Sequence, residues 1–300
     1  MKKVEIYEVG PRDGFQNIKE YIPLETKLEI VDGLVQAGIR HIEVTSFVSP
    51  KAIPQLKDSL ELSRRCLDQY PDVDFIALIP NLRGAQAAVQ AGIKRIAYVV
   101  SLSASHNKAN INRTHEQSYA ALQEIMTAYP QLDIILDLAT TFGCPFEGKV
   151  PASRVVEFLE EYITLGVKQV CLCDTIGIAN PAQVRDSIAA LRTAYPQLEL
   201  QVHIHDTRNM GAACTLAAIE AGVTKIQSTL GGLGGCPFAP GASGNLATED
   251  MIYMLNEMGY DTNINFERIL NLAKEEVKKI PAGVYSGHHI HVDATSQCFR

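Results

Sequence analysis

Two histidines lie two residues apart, His203 and His205, in a segment that otherwise reads as a β-strand. Side chains at positions i and i+2 of a strand point to the same face, so both imidazoles can converge on one ion. Imidazole pairs suit a borderline divalent metal, and a nearby carboxylate or amide oxygen shifts the choice toward manganese or magnesium. The alternative is a pair of partly buried, hydrogen-bonded histidines that bind no metal.

Two other residues offer the oxygen ligands that the histidine pair lacks. Asp13 supplies a hard anionic ligand, and Asn245, which follows Gly244, offers an amide oxygen. Two imidazoles, one carboxylate and one amide leave open positions on an octahedral ion for substrate oxygens. Each residue also has a structural alternative: Asp13 precedes Gly14 as an ordinary turn residue does, and Asn245 can be a helix N-cap.

Arg12 precedes the candidate ligand Asp13 and carries a permanent charge. Its forked donors can hold a carboxylate or stabilise an enolate oxygen that develops in a transition state. A structural ion pair with Glu43 or Asp174 is the alternative. The two interpretations are compatible, because a paired arginine is also a positioned one.

A glycine-rich segment, residues 231–245, contains six glycines in fifteen residues and includes Cys236. Such a loop can close over a ligand, and a thiol on it can give or take a proton. The alternative for Cys236 is a small apolar loop residue. The chain has no GxxxxGK[ST] motif and no GxGxxG between an early strand and helix, which argues against nucleotide hydrolysis and dinucleotide binding.

The composition describes a globular chain of 300 residues with 46% hydrophobic side chains and a mean hydropathy of +0.01. The formal charge of −7 and the pI near 5.6 argue against nucleic acid and against anionic membrane surfaces as partners. No apolar signal core opens the chain and no apolar stretch is long enough to span a membrane, so we expect a cytoplasmic protein. Seven scattered cysteines predict mostly free thiols.

Eight short β-branched runs alternate with longer amphipathic segments along the chain. Glycine stops such as Gly38, Gly92, Gly166 and Gly222 end helices before four of these runs. This regular alternation of strands and helices predicts a (β/α)8 TIM barrel, with a doubly wound open sheet as the alternative. The predicted strands are Val4–Val9, His41–Val44, Phe75–Ile79, Arg95–Val100, Asp133–Leu138, Gln169–Cys173, Leu200–His205 and Lys225–Thr229.

Residues 1–300 are expected to form one catalytic domain, because no linker or charge block divides the chain. An additional helix over Asn265–Ile280 and a tail belong to an extra C-terminal segment, about 261–300. The tail histidines His288, His289 and His291 are expected to be solvated. In such a barrel, chemistry collects where strands end, which is where the unusual polar residues of this chain stand.

The chain resembles the hydroxymethylglutaryl-CoA lyase family. This family belongs to a larger group of metal-dependent barrel enzymes that make or break carbon bonds next to a thioester. The resemblance runs nearly the whole length, and the cysteine in its glycine-rich segment makes it specific. The segments that carry it are Glu8–Asn17, Ile42–Pro50, Asp174–Gly177, His203–Thr207, Gly232–Phe238 and Gly241–Asp250.

The resemblance implies a divalent cation, Mg²⁺ or Mn²⁺, and cleavage of 3-hydroxy-3-methylglutaryl-CoA to acetyl-CoA and acetoacetate. The implied metal ligands are Asp13, His203, His205 and Asn245. Arg12 would stabilise the enolate, and Cys236 would join the proton transfers. Glu43 and Asp174 would orient the metal ligands and the arginine. The implied catalytic set is therefore Arg12, Glu43, Asp174, His203 and Cys236. The expected contacts to substrate or coenzyme A are Gln16, Lys19, Ser103, Asn107, Thr175 and Arg208.

Two departures from the family pattern bear on the acyl group. Arg208 begins an Arg-Asn-Met segment where these lyases usually have Tyr-Gly-Gln, and the Ser103–Asn107 segment lacks the usual glutamate. A related 3-hydroxyacyl-CoA such as citramalyl-CoA is therefore an alternative substrate. A condensing synthase of the isopropylmalate or homocitrate type and a catalytically silent barrel are alternatives of other classes. A homodimer is the expected assembly.

Overall fold

The computed structural model describes residues 2–235 and 244–292 of the chain. Eight parallel strands close into a barrel in which each strand pairs with the next along the sequence. The first strand pairs with the eighth, from Glu5 beside Lys225 to Glu8 beside Ser228. This confirms the TIM barrel, and the open-sheet alternative is wrong. The barrel strands are Glu5–Glu8, His41–Ser46, Asp74–Leu78, Arg95–Ser101, Asp133–Ala139, Gln169–Asp174, Glu199–Ile204 and Lys225–Ser228.

Helices follow the strands and surround the barrel. A short hairpin, Gly143–Cys144 with Gly148–Lys149, follows the fifth strand. The predicted extra helix is present as Phe266–Lys279, with Asn265 as its N-cap. None of the helices in the described ranges has the length and apolar character needed to cross a bilayer. The α-helices are Leu24–Ala37, Ser59–Gln69, Leu82–Ala91, Ala104–Ile111, His115–Ala128, Ala152–Leu165, Pro181–Ala194, Gly211–Glu220, Thr248–Glu257 and Phe266–Lys279.

The four predicted glycine stops all adopt positive φ: 113° at Gly38, 93° at Gly92, 110° at Gly166 and 92° at Gly222. A side chain at these angles is strained, whereas glycine adopts them readily. Each glycine therefore turns the chain out of a helix and into the next strand, as the sequence indicates.

Alternation along the strands divides the apolar side chains into two layers. One large cluster fills the space between the strands and the helices. A small cluster lies on the opposite face of the strands, inside the barrel, and consists of Tyr7, Ile76, Ala97, Ile135, Cys171 and Cys173. Because strand residues two apart share a face, polar residues that follow these positions point into the barrel near its carboxyl rim.

The described part of the tail packs against the helix Thr248–Glu257. His289 Nδ1 lies 2.6 Å from Asp250 Oδ1, and the His289 ring centroid lies 4.5 Å from that of Tyr253. The expectation of a solvated tail is therefore wrong for His289, because a half-buried acid and an aromatic ring hold it. His288 is exposed but also reaches Asp250.

A buried carboxyl in the extra helix makes stability depend on pH. Glu276 is 1% exposed, and its Oε2 has no hydrogen-bond partner among the described residues. Burial, with the nearby carboxylates Glu8 and Glu249, raises the pKa of Glu276 well above its usual value. Such a carboxyl contributes its full stabilisation of the folded protein at pH values below the pKa that it has in the unfolded chain. This contribution is lost as the pH rises through the pKa that it has in the folded protein.

Glu276→Gln is therefore expected to raise the melting temperature at pH 8 by at least about 4 °C and to change it little at pH 5. The measurement is thermal unfolding at both pH values at a fixed scan rate. Glu275→Gln, on the exposed neighbour, is the matched control and should have no such effect. An equal shift at both pH values would contradict the assignment.

Candidate metal centre and substrate cavity

Asp13 stands on a tight helical turn, Gly10–Gly14, that directly follows the first strand. The turn is anchored by the Asp13 amide, which donates to the Val9 carbonyl at 2.7 Å. The Gly10 amide donates to Glu8 Oε1 at 2.8 Å, and a Cβ at Gly10 would lie only 2.6 Å from that oxygen. Glycine is therefore required where the strand gives way to the turn that presents Asp13.

Asp13, His203 and His205 form a candidate metal site. Their ligand atoms all lie within 4.8 Å of one another, and all three residues are buried. Asn245 forms a backbone bridge with His205, and its Nδ2 donates to Asp13 Oδ2 at 2.7 Å. Asn245 is not an N-cap, because the next helix begins at Thr248.

The protonation states of these residues suit metal ligation. Burial lowers the pKa of His205 to about 4, and it lowers the pKa of His203 as well, so both imidazoles are neutral near pH 7. Burial alone would raise the pKa of Asp13, but the Arg12 guanidinium and the two histidines bring it down to about 2. Neutral imidazole and ionised carboxylate are the forms that bind metals.

Two buried polar atoms beside Asp13 lack partners among the described residues: His205 Nδ1 and Asn245 Oδ1. An unsatisfied buried polar atom costs about 1–3 kcal/mol, so such atoms usually have a function or a ligand. A divalent cation between the imidazoles, the carboxylate and the amide oxygen would satisfy both. The residues present therefore fit the implied group.

Gln227 holds His203 from the neighbouring eighth strand. The two residues are register partners, and Gln227 Oε1 lies 2.9 Å from His203 Nδ1. A carbonyl oxygen at this distance favours the tautomer with the proton on Nδ1, which leaves the Nε2 lone pair free for a metal.

Gln227→Leu is expected to weaken Mn²⁺ binding by about 10- to 100-fold, because His203 loses the acceptor that fixes its tautomer and ring orientation. Titration followed by the electron paramagnetic resonance of free Mn²⁺ gives the affinity. Gln201→Leu is the matched control, since Gln201 Oε1 lies 3.5 Å from Gln227 Nε2 and one contact further from His203. Equal effects of both substitutions would refute the role of Gln227.

Arg12 is buried and pairs with two carboxylates. Its Nε lies 2.6 Å from Glu43 Oε1 and its Nη2 3.2 Å from Glu43 Oε2, while Nη1 lies 2.6 Å from Asp13 Oδ1. Of the two ion-pair partners expected for Arg12, Glu43 and Asp174, the structure shows Glu43. An arginine has five N–H donors, and these contacts use three of them while Arg12 also lines the cavity.

A cavity of about 410 Å³ opens above the barrel interior at the carboxyl ends of the strands. Arg12, Asp13 and both histidines of the candidate metal site line it, as do the predicted contact residues Gln16 and Thr175. Gln16 Nε2 donates to Asp13 Oδ1 at 2.9 Å. The cavity therefore brings most of the predicted polar residues to one place.

Asp174 and Arg208 hold the loop that carries Thr175. The Asp174 carboxylate accepts hydrogen bonds from the amides of Ile178 and Ala179, both at 3.0 Å. Arg208 is exposed, and its Nη1 donates to the carbonyls of Ile176 and Gly177, both at 2.9 Å. Arg208 therefore braces the loop from outside the cavity wall, and its contact with substrate or coenzyme A stays a prediction.

Other predicted contact residues lie away from the cavity wall. Ser103 is the N-cap of the helix Ala104–Ile111, with its hydroxyl accepting from the His106 amide. Asn107 is fully buried and accepts from the Ser101 amide at 3.0 Å. Lys19 is exposed. Ser103 and Asn107 thus satisfy local backbone groups, and their contact with substrate or coenzyme A stays a prediction. Cys236 lies outside the described residues.

Three polar residues near the site were missed at the sequence level: Glu8, Asp137 and Gln227. Glu8 is fully buried and accepts hydrogen bonds from the Gly10 and Leu230 amides and from Thr248 Oγ1. Asp137 and Gln227 line the cavity. The signal common to Asp137 and Gln227 is a polar residue of inward parity in an otherwise apolar strand, whereas Glu8 lies on the outward face with Ile6 of the large cluster.

The closed parallel barrel carries a buried Asp-His-His group at its carboxyl rim, which makes it a barrel protein with a candidate metal site in its cavity. A model of the HMGL-like family matches residues 3–275. The chain belongs to the HMGL-like family. This confirms the family that the motifs predict.

Named relatives agree with this assignment. The chain is 41% identical over 275 residues to hydroxymethylglutaryl-CoA lyase YngG of Bacillus subtilis, covering 91% of this chain and 92% of that one. It is 40% identical over 271 residues to the mitochondrial hydroxymethylglutaryl-CoA lyase of Homo sapiens, covering 90% and 83%.

Solved structures show the same architecture. The crystal structure of the Bacillus subtilis HMG-CoA lyase matches with a TM-score of 0.91 at 39% identity, covering 97% of each chain. An HMG-CoA lyase from Acinetobacter baumannii, in complex with coenzyme A and 3-methylmalate, matches with a TM-score of 0.91 at 38% identity, covering 98% of this chain and 96% of that one.

Proposed function

We propose that this protein is a metal-dependent carbon–carbon lyase that cleaves 3-hydroxy-3-methylglutaryl-CoA to acetyl-CoA and acetoacetate. The observation that carries the proposal is the buried Asp13, His203 and His205 group beside Arg12 in one cavity. The family relatives at about 40% identity are named for this reaction.

The metal ligands in this proposal are Asp13, His203, His205 and Asn245. A divalent cation held there would supply Lewis-acid polarisation of substrate oxygens. One carboxylate and one amide oxygen beside two imidazoles favour Mg²⁺ or Mn²⁺.

In the reaction, the substrate C3 hydroxyl loses its proton and the C2–C3 bond breaks. The electron pair of that bond moves into the thioester to form an enolate, which is protonated at C2 to give acetyl-CoA. Arg12 would stabilise the enolate oxygen through N–H groups that it does not use on Glu43 and Asp13. Glu43 fixes the guanidinium by a two-point contact, so the donors are already oriented when charge develops.

Cys236 is proposed to take part in the proton transfers, and Asp174 to position the loop that presents Thr175 to the substrate. Gln16 and Thr175 are proposed substrate contacts from the cavity wall, and Lys19 is proposed to contact a coenzyme A phosphate outside it. We also propose one catalytic domain over residues 1–300, a homodimer, and a cytoplasmic location like that named for one mouse relative.

The test is a coupled assay of acetyl-CoA release from 3-hydroxy-3-methylglutaryl-CoA with Mg²⁺, with Mn²⁺ and with chelator, on the wild type and Cys236→Ala. Metal-dependent release that is lost in the variant is expected. Metal binding without cleavage would refute this substrate, and turnover of citramalyl-CoA instead would identify the alternative. Condensation of acetyl-CoA with a 2-oxo acid would indicate a synthase.

A further inference from the structure

Two thiols and a carboxyl lie together inside the barrel. Cys171 and Cys173 are two residues apart on the sixth strand, Gln169–Asp174, and both belong to the small cluster on its inward face. Asp137, on the fifth strand, is the register partner of Cys171. Each of the three offers one ligand atom, and these atoms all lie within 4.8 Å of one another. We call them the Cys-Cys-Asp cluster.

The Cys-Cys-Asp cluster shares no ligand with the candidate metal site formed by Asp13 and the two histidines. The two groups are neighbours, because Cys173 is the register partner of His203. Gln227 links them: its Oε1 lies 2.9 Å from His203 Nδ1, and its side chain donates a hydrogen bond to the Asp137 carboxyl. The cluster is therefore a second, separate set of potential ligands.

The burial of these atoms is compatible with metal binding. In a tetrahedral site with Zn–S bonds of about 2.3 Å, neighbouring sulfurs are about 3.8 Å apart, so the ligands touch one another and expose little surface. Asp137 Oδ1 has no partner among the described residues, and Cys173 Sγ contacts the Cys171 carbonyl only at 3.5 Å. Asp137 and Cys173 also line the cavity, which gives an ion a path of entry.

The charges at this end of the barrel leave Asp137 without a cation. The Arg12 guanidinium pairs with Asp13 and with Glu43, and none of the ion pairs among the described residues includes Asp137. Burial, followed by the Glu43 carboxylate, raises the pKa of Asp137 well above its usual value. A cation beside Asp137 would offset the repulsion between these carboxylates and favour the ionised form.

The ligand types favour a thiophilic cation. Soft thiolates suit Zn²⁺, whereas Mg²⁺ and Mn²⁺ prefer oxygen ligands. Burial raises the pKa of the Cys171 thiol well above its usual value. The thiol therefore keeps its proton until an ion with a high affinity for sulfur displaces it.

We propose that Asp137, Cys171 and Cys173 bind a thiophilic divalent cation of the Zn²⁺ class through two thiolates and one carboxylate oxygen. Each thiol releases its proton to solvent as its sulfur binds the metal, so two protons leave for each ion bound. Three protein ligands leave the fourth position of a tetrahedral ion open toward the cavity. The site is distinct from the metal centre of the proposed lyase reaction.

The experiment titrates the full chain with Cd²⁺, as a probe for Zn²⁺, in saturating Mg²⁺ and follows the ultraviolet absorbance of sulfur-to-cadmium charge transfer. Imidazole and carboxylate ligands give no such band, so Cd²⁺ that displaces Mg²⁺ beside Asp13 is silent. The wild type is expected to develop the band. Cys171→Ser and Cys173→Ser are each expected to lose at least about half of it, because each removes one of two thiolates.

Matched controls separate this cluster from the other thiols. Cys66 and Cys214 are buried elsewhere, and Cys236 belongs to the glycine-rich segment, so Cys66→Ser, Cys214→Ser and Cys236→Ser should all keep the band. Asp137→Asn should keep the band at saturation but weaken Cd²⁺ binding by at least about tenfold, because the anionic ligand is lost. An unchanged Cd²⁺ affinity would show that Asp137 is not a ligand.

Cadmium NMR of the wild type gives an answer that needs no variant, should the serine variants fail to fold by circular dichroism. Cadmium on two thiolates is strongly deshielded, so a resonance of that kind is expected beside one from nitrogen and oxygen ligands. A wild type that shows neither the band nor this resonance overturns the proposal. A band that persists in both Cys171→Ser and Cys173→Ser, or that disappears in a control variant, also overturns it.

These measurements use no substrate, so they are independent of the proposed lyase function. If 3-hydroxy-3-methylglutaryl-CoA is not cleaved but the band appears and depends on Cys171 and Cys173, the lyase proposal fails and the second cation site stands. If cleavage occurs without the band, the reverse holds.

Discussion

Replacing Asp13 by asparagine is expected to lower kcat for acyl-CoA cleavage by at least about 1000-fold, more than the loss of a residue that only supports a ligand. Asp13 is the one carboxylate of the buried group formed with His203 and His205 in the described chain. An amide there removes the anionic ligand and places an NH₂ group against Arg12, Gln16 or Asn245, which all donate to Asp13 now.

Steady-state kinetics with saturating Mg²⁺ or Mn²⁺, together with a Mn²⁺ titration, give the effect on turnover and on metal affinity separately. Asp72→Asn, at an exposed site, is the control for the same chemical change and should be neutral. Activity within tenfold of the wild type in Asp13→Asn would rule Asp13 out as a ligand.

Arg12→Met is expected to affect both stability and turnover, and a double variant separates the two. The single change leaves the buried Glu43 carboxylate without its guanidinium, which is expected to cost about 3–5 kcal/mol of unfolding free energy. Adding Glu43→Gln removes the unpaired charge and should restore most of that stability. Turnover should stay down by about 100- to 1000-fold in both variants, since the donors to the enolate oxygen are absent.

Urea unfolding and steady-state kinetics on wild type, both single variants and the double variant complete the cycle. If activity returned together with stability in the double variant, Arg12 would be a structural residue only. Stability that failed to return would show that the loss does not arise from the charge on Glu43.

The barrel was predictable because its signals are local. Each strand is a short β-branched run, and each of four glycine stops requires a positive φ that the sequence alone suggests. The strand boundaries differ from prediction by one or two residues: His41–Val44 extends to Ser46, and Lys225–Thr229 ends at Ser228. The candidate metal group was also predictable, because His203 and His205 are two residues apart where the seventh strand ends and therefore share a face.

The remaining parts of the site depend on contacts between distant segments. Gln227 matters because strand register places it beside His203, and no local pattern contains that register. Ser103 and Asn107 are polar residues next to a strand end, as a substrate contact would be, but their side chains satisfy backbone amides of their own loop. Arg208 likewise turns outward to the carbonyls of Ile176 and Gly177.

The contact between Asp13 and Asn245 joins segments 232 positions apart in the sequence. Asp13 comes shortly after the first strand and Asn245 lies between the eighth strand and the helix Thr248–Glu257, so the candidate metal group needs these two strands to have paired. Cation binding should therefore report on completion of the whole barrel during folding, because intermediates with an open sheet lack part of the group. By mass action, the ion would stabilise the closed barrel over every partly folded state that leaves its seam open.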